Sequence, residues 1–346
     1  MGRRTDHRPR NGFLPLIAVK FHILPALILS VVMSGCATYH SSFSYQEWVN
    51  CLNETIHRSE EEFASCFSHD ANLDHLHMWY RNFTVMKSVL FISTDDGISV
   101  EWQMANEDTP ARHDLSAVLT CHKDCEVDDL IQKPGSPVPI WLDHEMVQRC
   151  ESHLCVIGSS EYVDRIMISA IDALNSLKES ALSSVLDLER ITVELPCDSD
   201  HFERIMASPA FNFRSSGAIS WREGEAGRIV INPISYPALE RQMTGLLAHE
   251  ITHQALHRWG HAAPGRQWVS EGIAEYHSCQ VKGDQCTYQF GFPPADDDFE
   301  KSNGSHAYRW AAGAVSAIID HESDPIDTLH RLWDNPDMAL PVYLTA

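Results

Sequence analysis

The sequence predicts an α+β fold beyond residue 160, and the order of its elements carries that prediction. Apolar residues recur at helical spacing over 161–187, which indicates one long amphipathic helix. The stretches RITVELP and GRIVINP (227–233) are typical of β-strands. YPALERQMTGLLAHEITHQALHRW then returns to helical spacing. A helix, strands and a second helix in this order indicate the α+β class.

The region over 36–157 predicts a small mixed domain with no recognisable functional motif. YQEWVNCLNETIHRSEEEFASCF indicates a helix, and SVLFISTDDGISVEWQM indicates two strands joined by an Asp-Asp-Gly turn. The segment from Lys123 to Pro139 contains several prolines and a glycine, which indicates a loop. We therefore expect a small disulfide-containing domain, followed by a second domain over 158–346.

The spacing of the cysteines predicts local disulfide bonds. Nine of the ten cysteines follow Cys36, and eight of these nine form close pairs along the chain. Close pairs in an exported protein are typical of disulfides, although CHKDC and CESHLC could also supply metal ligands. Cys197 is left over, either as a buried free thiol or in a different connectivity. The expected pairs are Cys51–Cys66, Cys121–Cys125, Cys150–Cys155 and Cys279–Cys286.

The N-terminus predicts export. Basic residues precede the apolar run ILPALILSVVM, which is about half as long as a membrane-spanning helix, so 1–35 indicates a signal peptide. Cys36, directly after Ser34 and Gly35, resembles the acceptor cysteine of a bacterial lipoprotein signal. The resemblance implies lipidation of Cys36, and Ala37 after it implies the outer membrane, with the protein facing the periplasm of the cell envelope. A plain cleaved signal and an uncleaved anchor remain alternatives.

The amino-acid composition limits the kinds of molecule that the protein is expected to bind. The chain has 346 residues, 44% of them hydrophobic, so it can bury a full core. Its net charge of −22 argues against nucleic acid, because phosphate binding depends on clustered lysine and arginine. We therefore expect no nucleic-acid partner.

The stretch HEITH (249–253) places two histidines four residues apart, on one face of a helix. Two imidazoles at this spacing suit Zn²⁺, which binds neutral imidazole in a tetrahedral shell. Glu250 can reach a metal-bound water without being a ligand itself. The motif alone also fits a histidine-rich amphipathic helix that binds no metal. The residues expected to face the core are Leu247, Ile251 and Ala255.

A second motif, WVSEGIAEY (268–276), follows shortly after the first. A catalytic zinc keeps three protein ligands, and Glu271 could supply the third from a second helix. Together the motifs resemble those of gluzincin metallopeptidases, in which HExxH precedes a helix with the pattern W-x-x-E-G-x-A-E-Y. The resemblance implies a zincin-like metallopeptidase domain, with a small sheet, an active-site helix and a Glu-bearing helix. It also implies Zn²⁺ held by His249, His253 and Glu271.

Other ligand sets are less consistent with the sequence. The metzincin pattern requires a glycine and a third histidine where this chain has leucine and tryptophan. His257 follows His253 by one turn, but three ligands on one straight helix cannot surround a single tetrahedral ion. We therefore expect His257 and His261 to lie on the surface, behind the ligands or towards substrate. Glu275 could compete as a ligand, although the resemblance implies that it supports a ligand histidine instead.

The resemblance also implies a mechanism. Glu250 would act as general base in hydrolysis of a peptide bond, and Tyr308 or His306 would stabilise the oxyanion. Both lie at the start of HAYRWAAGAVSAIIDH (306–321), where simple packing of Tyr308 is the alternative. GRIVINP is expected to form the sheet edge that pairs with an extended peptide.

Three functions are therefore open. The first is a lipid-anchored zinc peptidase of the cell envelope that acts on a peptide or protein. The second is a non-catalytic envelope lipoprotein that uses the zincin fold as a binding module. The third is a zinc hydrolase with another substrate, such as a cell-wall peptide bridge.

Overall fold

The computed structural model describes residues 43–95, 97–121, 125–158, 160–185, 190–207, 216–223, 226–283, 292–299 and 305–345. The predicted signal peptide and Cys36 lie outside these residues. Cys286 does too, so its bond to Cys279 stays a prediction. Across these ranges, no helix combines the length and apolar character needed to cross a bilayer.

From residue 43 to Gln132, the described residues form three helices and an antiparallel four-stranded sheet. The helices are α1 (Tyr45–Thr55), α2 (Glu60–Ala64) and α3 (Leu73–Thr84). The strands, in spatial order, are β1 (Ser88–Thr94), β2 (Gly97–Gln103), β3 (Ala111–Cys121) and β4 (Cys125–Gln132).

Two predictions in this part need correction. The expected single helix is two helices, α1 and α2, because α1 ends at Thr55 and the Ser59 side chain caps α2 by accepting from Glu62 N–H. The expected loop from Lys123 to Pro139 contains β4, which pairs with β3 and buries Val127 and Leu130. The β1–β2 hairpin is confirmed.

Three predicted disulfides are confirmed among the described residues. Cys51–Cys66 links α1 to the segment after α2, and Cys121–Cys125 joins the end of β3 to the start of β4. Cys150–Cys155 joins β5 (Val147–Glu151) to β6 (Leu154–Gly158). Cys197 has a free thiol but is exposed, contrary to the buried thiol we considered.

A five-stranded mixed sheet forms the second part, in the order β5-β6-β7-β9-β8. Its other strands are β7 (Ile191–Leu195), β8 (Ala218–Glu223) and β9 (Ala226–Ile231). The central strands β6, β7 and β9 are parallel, whereas β5 and β8 are antiparallel edges of the described sheet. The β5–β6 hairpin belongs to this sheet although it precedes the domain boundary predicted at residue 158, and that boundary stays a prediction.

Helices complete the second part, and the α+β class is confirmed. They are α4 (Ser160–Lys178), α5 (Ser199–Met206), α6 (Glu240–Leu256), α7 (Gln267–Lys282), α8 (Ser305–His321), α9 (Pro325–Asp334) and α10 (Val342–Thr345). Helix α4 connects the parallel strands β6 and β7, as parallel pairs require a crossover. It ends earlier than predicted, because the chain tightens into three-residue hydrogen-bonded turns at Glu179 and Ser180. One apolar core includes side chains from the sheet and from α4, α6, α7 and α8.

A buried charged cluster joins the two sheets. Arg228 of β9 is fully buried and lies 2.6 Å from a carboxylate oxygen of Glu194 on β7 and 2.9 Å from one of Glu107. Its guanidinium carbon is 4.1 Å from the ring centroid of Trp102 on β2. Thr192 on β7 also donates to Glu107, at 2.8 Å. The N-terminal sheet is therefore fixed to the second sheet through these charges.

A neighbouring buried histidine makes stability depend on pH. His113 accepts from the Trp102 indole at 3.1 Å, and burial, followed by the charge of Arg228, lowers the pKa of His113 to about 3. In the unfolded chain His113 has its ordinary pKa of 6.5 and therefore binds a proton at a higher pH than in the folded protein. The free energy of unfolding consequently falls as the pH drops from 6.5 towards about 3. We expect His113→Gln to remove about 2 kcal/mol of the loss between neutral pH and about pH 5. Urea unfolding at both pH values measures this.

His69→Gln provides the control, since the side chain of His69 is 91% exposed. That variant should keep the pH dependence of the wild type. An unchanged pH dependence in His113→Gln would show that His113 is protonated in the folded protein.

Candidate metal centre

The HEITH stretch lies in helix α6, and neighbouring parts of the protein cover both faces of the helix there. Leu247, Ile251 and Ala255 are at most 2% exposed and lie in the core, as predicted. On the other face, the side chains of His249 and His253 are only 12% and 21% exposed. The histidines are therefore turned towards protein, unlike the solvated polar face of a surface helix.

Three ligand atoms converge beside α6. The Nε2 atoms of His249 and His253 are 3.1 Å apart, and each lies 3.4 Å from Oε2 of Glu271. In a tetrahedral zinc site with bonds near 2.0–2.1 Å, ligand atoms are about 3.3 Å apart. The triangle thus has the size that a zinc ion requires, and three protein ligands leave one coordination position for another group.

Helix α7 brings Glu271 to this position. Asp296 holds the start of α7 by accepting from the Gln267 backbone at 3.1 Å, and the Gln267 side chain donates to Glu271 Oε1 at 3.4 Å. Gly272, which follows the ligand, faces α8 so closely that a Cβ would lie 2.7 Å from the Ala311 carbonyl oxygen. The glycine of the second motif therefore permits α8 to approach α7 at the site.

Side chains behind the two histidines hold their rings in place. Nδ1 of His249 lies 3.3 Å from Glu275 Oε2, and Nδ1 of His253 lies 3.2 Å from the Ser270 hydroxyl. Both rings thus use Nδ1 for support and present Nε2 to the site, a common arrangement for metal-binding histidines. The structure places Glu275 where we expected it. Sequence reasoning missed Ser270, although its position next to Glu271 on the same helix could have indicated it.

The histidines and carboxylates of the site shift one another's pKa values. Burial raises the pKa of Glu271, but His253 and His249 outweigh that effect and hold it well below its ordinary range. Burial opposes a charge on His249, but hydrogen bonds to Glu271 and Glu275 raise its pKa to about 10. Burial raises the pKa of Glu250, against the two histidines. The centre therefore holds an ionised ligand carboxylate and, nearby, a carboxylate with increased affinity for protons.

The two predicted oxyanion residues have different surroundings. Tyr308 is partly buried on α8, with its ring centroid 5.9 Å from that of His249 and 5.1 Å from that of Phe299. Burial, followed by the carboxylate of Glu271, raises the pKa of Tyr308, so its phenol stays protonated at neutral pH and can donate. His306 is exposed near the start of the same helix. The structure therefore brings Tyr308, but not His306, against a ligand residue.

The later histidines lie on the surface. Helix α6 ends at Leu256, and the chain continues as a 3₁₀ turn over His257–Trp259. His257 and His261 are both exposed. This location agrees with the surface position among those we considered for them.

The prediction that GRIVINP forms the sheet edge next to the substrate is wrong. GRIVINP forms β9, which is paired on both sides, by β7 and by β8. Strand β8 is the edge in the described part of the chain, and it lies beside the site. Ser220 of β8 makes a backbone hydrogen bond to Glu250, and Gln254 of α6 donates to the Ser220 hydroxyl and to the Trp221 carbonyl. The sequence of β8 carried no motif that could reveal this pairing.

No family model matches this sequence, and no curated protein matches it significantly. The function must therefore be inferred from the residues of the centre and their geometry. Two imidazoles and a carboxylate can hold a metal ion, a second carboxylate can accept a proton, and a neutral phenol can donate a hydrogen bond.

Proposed function

We propose that this chain is a zinc-dependent peptidase with a zincin-like domain of the gluzincin type. The observation that carries the proposal is the triangle formed by His249, His253 and Glu271, with Glu250 next to it on α6. Two nitrogen ligands favour zinc over magnesium and calcium, which prefer oxygen ligands. Three protein ligands are typical of catalytic zinc, whereas structural zinc has four.

Each residue of the centre has a role in this proposal. Zn²⁺ bound there would polarise a substrate carbonyl and lower the pKa of a bound water. Glu250 accepts the proton of the attacking water and then donates it to the leaving nitrogen. Tyr308 donates a hydrogen bond to the oxygen that becomes negative during the reaction.

An extended peptide is the substrate shape that the fold supports best. Strand β8 is the edge of the described sheet, where a peptide strand could pair, and the Ser220 backbone on this strand donates a hydrogen bond to Glu250. A peptide paired with β8 would therefore pass the catalytic carboxylate. This arrangement supports hydrolysis of peptide bonds over hydrolysis of a small compact molecule.

We also propose that the protein acts in the bacterial cell envelope, anchored through a lipid on Cys36 to the outer membrane and facing the periplasm. Three disulfides agree with an oxidising compartment. The mass of the mature N-terminal peptide tests the anchor.

Removal of zinc should abolish hydrolysis. Because a metal bound by His249, His253 and Glu271 would polarise the carbonyl and activate the water, we expect no cleavage of an unfolded protein after treatment with a chelator, and recovery when zinc is added back. Peptide release measured by mass spectrometry is the assay, and cross-linked peptidoglycan fragments serve as a parallel substrate.

The two substrates separate the possible functions. Cleavage of the unfolded protein supports a peptidase, and cleavage of peptidoglycan fragments alone would point to a cell-wall hydrolase. If the zinc-loaded protein cleaves neither, or if cleavage continues after chelation, the proposed function is wrong.

A further inference from the structure

A second group of metal-ligating side chains lies on other elements of the fold. His144 precedes β5, Cys197 follows β7, and His201 lies in the first turn of α5. One ligand atom from each residue lies within 4.8 Å of the others. The Cys197 sulfur is 2.9 Å from His144 Nε2, and the rings of His144 and His201 have centroids 4.8 Å apart.

These residues line a cavity of about 450 Å³. Its wall includes Gly158 and Leu195, the last residues of the parallel strands β6 and β7. The carboxyl ends of parallel strands are a common place for ligands in α/β sheets, because loops diverge there and leave a crevice. Cys197 follows the end of β7 directly and so lies at this edge.

The backbone at each ligand is fixed by buried or capped groups. Asn82, which is fully buried, donates to the His144 carbonyl at 2.8 Å. Tyr236 donates to the carbonyl oxygen of the residue before Cys197. His201 is held by the capped N-terminal turn of α5. Contacts from Asn82, Tyr236 and Asp198 thus hold the ligands in place before any ion binds.

One atom of the group has unused bonding capacity. His201 is 1% exposed, and its Nε2 has no hydrogen-bond partner among the described residues. Buried polar atoms are normally paired, so an unpaired imidazole nitrogen in the wall of a cavity indicates that something else binds there. A metal ion would satisfy it in the tautomer that carries the ring proton on Nδ1, so the 3.5 Å hydrogen bond from the Cys197 backbone N–H to Nδ1 breaks when the ion binds.

We propose that His144, Cys197 and His201 bind a second transition-metal ion, of the thiophilic class that includes Zn²⁺ and Cu⁺. Two imidazoles and a thiolate suit these ions and exclude magnesium and calcium. Sulfur and nitrogen ligands of one tetrahedral ion lie about 3.5 Å apart, which side-chain rotation can reach from the observed positions. Binding releases the Cys197 thiol proton to solvent.

Cobalt binding to the metal-free protein, with its disulfides kept intact, tests the proposal. The centre at His249, His253 and Glu271 offers only nitrogen and oxygen, so it gives no sulfur-to-cobalt charge-transfer band in the near ultraviolet. We expect this band in the wild type and in His253→Ala, and its loss in Cys197→Ser. Zinc content should be two ions per chain in the wild type and one in either variant.

Two further measurements keep the test independent of folding and of the proposed function. His144→Gln retains the thiol but removes a nitrogen ligand, so the band should weaken and shift. Zinc, or Cu⁺ under anaerobic conditions, should protect Cys197 from alkylation by iodoacetamide. Equal metal content in the wild type and Cys197→Ser, or alkylation at the same rate with and without either ion, would overturn the proposal. Loss of peptidase activity in His253→Ala has no bearing on it.

Discussion

Glu250→Gln should abolish peptide hydrolysis while zinc remains bound. Glutamine has the same shape and can still accept the backbone hydrogen bond from Ser220, so the fold at α6 should be unchanged. Its amide cannot accept a proton from water, and loss of a general base lowers kcat by about 10²–10⁴-fold. Turnover of a peptide substrate and metal analysis of the same sample measure both parts of this prediction.

Two control variants define what the result means. Glu240→Gln makes the same change on the same helix at an exposed position, and it should keep full activity. His253→Ala should lose zinc and activity together, because it removes a ligand. Full activity in Glu250→Gln would reject Glu250 as the base, whereas loss of zinc in that variant would make Glu250 a ligand.

The Glu250→Gln variant can also identify the natural substrate. It should keep the zinc-binding residues and the edge strand β8, so it should bind peptides without cleaving them. We expect peptides released from a cell-envelope extract by the wild type to be missing when the variant is used. Their termini, read by mass spectrometry, would show which residues flank the cleaved bond.

The convergence of His249, His253 and Glu271, the proposed zinc ligands, could be predicted because their signal is local. HEITH fixes two ligands through the geometry of one helix, and the second motif fixes Glu271 on the next. Glu275 follows from the same helical spacing. His144 and Cys197 are 53 residues apart and meet only because β7 ends beside the segment that precedes β5, so no spacing rule could pair them.

The fold shows the same limit. The β1–β2 hairpin and the helices α4 and α6 follow from local periodicity and turn residues. The position of β9 inside the sheet depends on pairing with β7, for example of Gly227 with Ile191, and on the intervening β8. Strand β4 does not follow from local composition, because the prolines and glycine directly after it indicate a loop over the whole segment 123–139.

Arg228→Met should lower the free energy of unfolding by about 3–5 kcal/mol, the effect of removing one partner of a buried ion pair. The variant leaves the buried carboxylates of Glu107 and Glu194 without this cation and removes the contact with the Trp102 ring. Burial already raises the pKa of Glu194, which shows how unfavourable its charge is at this position. Denaturant unfolding of the wild type and the variant measures the change.

A second variant shows whether unpaired charge is the cause. Arg228→Met combined with Glu194→Gln removes one buried carboxylate with the cation and should recover part of the lost stability. Arg81→Met, at an exposed pair with Glu145, should change stability little. If the double variant is no more stable than Arg228→Met, packing rather than charge holds the cluster.

Because Glu107 belongs to the N-terminal part and Arg228 to the strand next to β8, loss of the cluster should also reduce peptidase activity at temperatures below global unfolding.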